Sequence, residues 1–117
     1  MADWKPATVG EVRTIVAKDL LSCDAAQKAT FKRYAVEPFC APIVRYGKTE
    51  SVVVVARRRN EVMYYEDVEE GFNVSPISCD GQILEHWCNQ DELRWALNAW
   101  IWGRGLHARL RPAQPLN

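Results

Sequence analysis

His86 lies between two cysteines, Cys79 and Cys88, with Glu85 and Asp91 close by in sequence. A thiolate is a nucleophile and an imidazole a base at neutral pH, so His86 with Cys88 or Cys79 could form the site of a small enzyme. The sequence marks neither an oxyanion donor nor a third group to orient the imidazole. Zinc is the other chemistry these residue types suggest. The spacing Cys79-x6-His86-x-Cys88 lacks the two close ligand pairs of a tetrahedral site and offers no fourth ligand. The chain has no glycine-rich phosphate loop, no Gly-x-Ser-x-Gly elbow and no His-Glu-x-x-His pair. No motif points to a cofactor or a metal, and the non-enzymatic reading is preferred.

A second concentration of chemistry is charge. The stretch Glu61 to Asn73 holds five of the fifteen acids within ten residues, directly after Arg57-Arg58-Arg59. Carboxylates so close repel one another unless water or a cation relieves them. Glu66, Asp67, Glu69 and Glu70 therefore read either as a solvated strand-end or as an acidic docking surface that steers a basic protein partner. Their order does not match the ligand order of an EF-hand loop. Tryptophan is the third feature. Trp87, Trp95, Trp100 and Trp102 lie in or beside one C-terminal helix, where Trp100 joins the apolar stripe and Trp95 and Trp102, seven apart, share a flank. That flank either closes the edge of the core or forms a protein interface, including one for self-association. A nucleic-acid module is the remaining alternative, resting on Arg57-Arg58-Arg59 and on Arg104, Arg109 and Arg111. These arginines are not interleaved with exposed aromatics, and the neighbouring acids repel phosphate, so nucleic acid is not the expected partner. His107, in the basic tail, reads as solvated.

Length and composition bound these readings. A chain of 117 residues, 48% apolar, is one domain with a core of its own, here assigned to residues 1–103, and the acid-free segment 104–117 reads as a flexible basic tail. Fifteen basic and fifteen acidic residues cancel, so no global field draws the chain to nucleic acid or anionic lipid. The longest aliphatic run, Val52 to Ala56, is far too short to span a bilayer, and the amino terminus lacks the pattern of an export signal. Four irregularly spaced cysteines suit reduced thiols and a cytoplasmic location.

The elements that must carry these residues follow from periodicity and punctuation. Thr8 and Glu11 have the form of a capping box, and Val9, Val12, Ile15, Val16 and Leu20 continue from it at helical spacing. Ser22-Cys23-Asp24 breaks that helix, and a second spans roughly Ala25 to Tyr34 before Pro38 and Pro42 impose extended chain. Ile43 to Tyr46, Ser51 to Arg57 and Glu61 to Glu66 read as strands of an antiparallel meander, and Phe72 to Val74 offers a fourth. Gly71 reads as a turn, as does Cys79-Asp80-Gly81-Gln82. A last helix is expected from Asn89-Gln90-Asp91-Glu92 as cap and first turn, through Leu93, Ala96, Leu97, Trp100 and Ile101, to a stop at Gly103. The fold class is α+β: a three- or four-stranded antiparallel sheet packed on one face by N-terminal helices and a C-terminal amphipathic helix, its other face wetter.

With Glu61-Val-Met-Tyr-Tyr-Glu-Asp-Val-Glu-Glu-Gly-Phe-Asn and Asn89-Gln-Asp-Glu-Leu-Arg-Trp-Ala-Leu in place, the region Val52 to Trp102 resembles small bacterial α+β proteins of the immunity type. The resemblance implies a cytosolic protein that binds and neutralises a toxin. It also implies that Glu66, Asp67, Glu69 and Glu70 meet a basic toxin surface.

Overall fold

Thr8 starts the first helix as the sequence requires: its hydroxyl accepts from the Glu11 amide at 3.1 Å, and the Glu11 carboxylate accepts from the Thr8 amide at 2.9 Å. In the computed structural model, which describes residues 5–102, that helix is α1 (Val9–Leu20), followed by α2 (Ala25–Tyr34), β1 (Ala35–Arg45), β2 (Lys48–Arg58), β3 (Glu61–Glu66), β4 (Gly71–Pro76) and α3 (Leu93–Ile101). The expected tail, 104–117, and the stop at Gly103 lie outside the described residues. A second capping box, Asp24 with Gln27, opens α2. The four strands pair in sequence order as an antiparallel meander.

The sheet is longer at its first edge than the apolar run suggested. β1 begins eight residues before Ile43 and passes through Pro38 and Pro42, which an edge strand tolerates because one row of its backbone groups has no ladder to complete. The first turn, Tyr46-Gly47, has positive φ at both residues (51° and 74°), the mirror-image geometry that suits the twist of a tight hairpin. A bulge between Val54 and Ala56 turns both Val55 and Ala56 towards the helices.

Helices cover one face. Val12, Val16, Leu93, Ala96, Leu97 and Trp100 pack on Val53, Val55, Met63, Tyr65, Phe72 and Val74. The opposite face is not wetter, as the alternation in the strands led one to expect. Ala41, Ile43, Val52, Val54, Val62 and Tyr64 are buried there beneath Ile77 and Ile83. The segment after β4 folds back across this face, bridging to Ile43 and Ile77 through Ile83. Tyr64 holds it down: the hydroxyl accepts from the Trp87 amide at 2.9 Å and donates to the Glu85 carbonyl at 3.3 Å.

The start of α3 differs from expectation too. Asn89 to Glu92 precede the helix as extended chain along β4, because Asn73 exchanges two hydrogen bonds with the Asn89 backbone and the Phe72 amide donates to Asp91. Glu92 takes the N-cap position without a capping side-chain bond. Asp19, at the end of α1, instead accepts from the Leu93 amide at 3.1 Å, so the acceptor comes from another helix. Gly71 is fixed by this packing rather than by a turn. A Cβ there would lie 2.4 Å from the Asn89 carbonyl oxygen and 2.5 Å from Gln90 Cα. Among the described residues no helix is long and apolar enough to cross a membrane.

Candidate functional site

The meander places the β1–β2 turn and the β3–β4 turn at the same end of the sheet. Arg45, the last residue of β1, joins them. Period-two alternation puts Arg45 in phase with Ala41 and Ile43, Glu50 in phase with Val52 and Val54, and Glu66 in phase with Val62 and Tyr64. The apolar stripe of the second face therefore ends in an ion cluster. The Arg45 guanidinium meets Glu50 at 2.5 Å, both oxygens of Glu66 at 2.8 and 2.9 Å, and Asp67 at 2.9 Å. No part of the Arg45 or Glu66 side chains reaches solvent. Burial disfavours the Arg45 charge, but the hydrogen bonds to Glu50 and Asp67 and the charges of Glu66 and Asp67 outweigh it and raise its pKa.

The remaining acceptor capacity of the acids is also used. Glu66 accepts from the Val68 amide at 3.1 Å, and Asp67 accepts from the Ala7 amide at 2.9 Å, which ties the segment before α1 to the same cluster. Glu66 and Asp67 are thus interior ion-pair partners, which corrects the reading of them as solvent-facing docking groups. Two of the four close carboxylates, Glu66 and Asp67, are relieved by a cation, which Arg45 supplies from twenty-one residues upstream of Glu66. Glu69 and Glu70 stay at the surface, Glu69 accepting from Gln90 at 3.4 Å and Glu70 standing at φ 62° in the turn.

His86 caps the cluster from the crossing segment. Its Nε2 lies 3.1 Å from Glu66 Oε1 and 3.7 Å from Cys88 Sγ, and its ring meets the edge of Tyr46 at 5.2 Å. The structure therefore brings Cys88 to His86, while Cys79 sits in an exposed turn and makes no hydrogen bond with either among the described residues. One nitrogen faces both the acid and the thiol. In a nucleophile–base–acid chain the acid holds the far nitrogen, leaving the near one to take the proton. A donor committed to Glu66 cannot at the same time be the base for Cys88, so these three residues do not form a relay. Among the described residues no group of three or more His, Cys, Asp or Glu is arranged to hold a metal ion.

The other sequence candidates are dispersed. Trp95 and Trp102 are 51% and 65% exposed on α3, with the Arg94 guanidinium 4.6 Å over the Trp95 ring, whereas Trp100 is buried and donates to Glu61 at 3.2 Å. The run Arg57-Arg58-Arg59 does not act as one patch. Arg58 turns inward, donating to the Trp100 carbonyl at 3.1 Å and pairing with Glu61. Arg104, Arg109, Arg111 and His107 lie outside the described residues.

Arg45 and Glu50 were missed by reasoning from motifs. The signal that marks them is the strand phase: Arg45 follows Ala41 and Ile43, and Glu50 precedes Val52 and Val54, on the same side of the strand. No protein-family model, curated protein or solved structure matches the chain.

Proposed function

We propose that the chain is a small, non-enzymatic, cytoplasmic protein-binding module, immunity-like in that its acidic sheet end meets a basic partner. The observation that carries the reading is the buried Arg45 cluster beneath two turn tips that expose Tyr46 and Val68 (59% and 40%) beside Glu69 and Glu70. Burying one cation among three acids is an inefficient way to stabilise a fold, since desolvation offsets most of the attraction. It is an effective way to fix two loops relative to each other. Rigid tips carrying an exposed aromatic ring, an aliphatic side chain and carboxylates have the composition of an interface whose charge selects the partner and whose apolar groups hold it.

The test is capture from host extract on immobilised protein, comparing wild type with Tyr46→Ala/Glu69→Lys/Glu70→Lys. Glu66 and Asp67 are left intact because reversing them would break the interior. The reading expects a partner held by wild type and lost from a variant with an unchanged circular dichroism spectrum. Identical capture by both proteins would overturn it.

A further inference from the structure

Between the segment before α1 and the β3–β4 turn lies an open cleft of about 390 Å³, lined by Lys5, Ala7, Glu11, Thr14, Ile15, Tyr65, Asp67 and Glu70. Ala7, Ile15 and the ring of Tyr65 give it apolar surface, and three carboxylates face one ammonium around it. Two of the acids are already engaged, Asp67 by Arg45 and the Ala7 amide and Glu11 by the Thr8 amide. The Glu70 carboxylate has neither hydrogen bond nor ion pair among the described residues. Charge alone would amount to an acidic surface with no assigned occupant. The second observation is Tyr65. It is 8% exposed, its ring is held edge-on by Phe72 at 5.1 Å, and its hydroxyl has no hydrogen-bond partner among the described residues. A hydroxyl that lines an open cleft takes its partner from what enters it, water or ligand. Burial, then the charges of Glu70, Asp67 and Asp19, raise the Tyr65 pKa, so the group is a neutral hydroxyl whose oxygen can accept.

We propose that this cleft receives an arginine side chain of the protein partner, its methylenes against Ile15 and the Tyr65 ring and its guanidinium shared between Glu70 and the Tyr65 hydroxyl. The inference rests on the protein-binding reading and names how a basic partner is engaged. Arginine fits better than lysine because a planar fork of donors can reach a carboxylate and a hydroxyl together, and because it is the more weakly hydrated cation. Lys5, on the rim, is the chain's own competitor for the same carboxylates.

The test is a titration of isotope-labelled protein with Nα-acetyl-arginine amide, followed by amide chemical shifts, with the neutral isostere Nα-acetyl-citrulline amide as control. Saturable shifts at Ala7, Thr14, Ile15 and Glu70 are expected with the arginine compound, and binding at least about tenfold weaker with citrulline. Glu70→Gln should weaken arginine binding about threefold to tenfold, and Tyr65→Phe, which keeps the ring and the packing, about twofold to threefold. Lys5→Ala should strengthen it. Equal shifts from citrulline and arginine, or arginine affinity unchanged in both Glu70→Gln and Tyr65→Phe, would overturn the assignment. So would shifts confined to other surfaces. Loss of partner capture by the Tyr46/Glu69/Glu70 variant, with no arginine binding in the cleft, would sink this inference and leave the protein-binding reading standing.

Discussion

Replacing Arg45 with methionine removes the cation while keeping a side chain of similar length and apolar character. Glu66 has no solvent-exposed side-chain surface and Asp67 only 5%, so neither carboxylate can recover its hydration where it stands, whereas Glu50, at 27%, can in part. Breaking a buried ion pair from one side costs about 3–5 kcal/mol, because the orphaned charge is left in the interior. That is a large share of the roughly 5–15 kcal/mol that holds a domain of this kind together. With a urea dependence of about 1–3 kcal/mol per molar, the unfolding midpoint should fall by roughly 2 M. The assay is urea unfolding followed by tryptophan fluorescence, run on wild type, Arg45→Met, Glu66→Gln and the double variant. Because the cost arises from the stranded acids, adding Glu66→Gln to Arg45→Met should recover about 1–3 kcal/mol, whereas the same change in wild type should destabilise. An Arg45→Met protein within about 1 kcal/mol of wild type would refute the argument. Strictly additive single changes would refute it as well, since they would mean that the guanidinium and Glu66 are not compensating each other.

Gly71→Ala should lower the melting temperature by roughly 10 °C, read by circular dichroism, because the new Cβ collides with the Asn89–Gln90 backbone rather than with a side chain that can move. Asp19→Ala removes the acceptor for the Leu93 amide and should cost about 0.5–2 kcal/mol in urea unfolding, the usual loss at a helix N-terminus, although Asp19 lies seventy-four residues away. Tyr64, raised above its ordinary pKa of 10.0 first by burial and further by the charge of Glu66, ties stability to alkaline pH. The unfolded tyrosine ionises first, so its contribution is intact below pH 10.0 and falls above it by up to about 1.4 kcal/mol per pH unit. Denaturant unfolding at several pH values should show a shallower alkaline decline for Tyr64→Phe than for wild type.

Local rules carried much of the fold. Thr8 with Glu11 set the start of α1, Pro38 and Pro42 ensured that α2 gave way to extended chain, and the changes of period along the chain separated helices from strands. The strand Glu61–Glu66 and the helix Ala25–Tyr34 were bounded correctly because their ends are marked by nearby residues. Where the sequence misled, the deciding partner was distant. Asn89-Gln90-Asp91-Glu92 has a good helix-start pattern, but Asn73 and Phe72 offer its backbone a strand-like alternative. The wetter face was inferred from local alternation, whereas the segment through Ile77 and Ile83 returns to cover it.

The candidate site divides in the same way. The sequence by itself determined that four carboxylates stand at the end of a strand and that Trp95 and Trp102 share a helix flank apart from Trp100. Only the tertiary structure decided that Arg45 lies among Glu50, Glu66 and Asp67, that His86 gives one nitrogen to both Glu66 and Cys88, and that Tyr65 lines a cleft under Glu70. The physical reason is range. Periodicity and capping are settled within a turn or two of chain, but the sign of a buried charge's contribution depends on what the fold brings within about 3 Å of it.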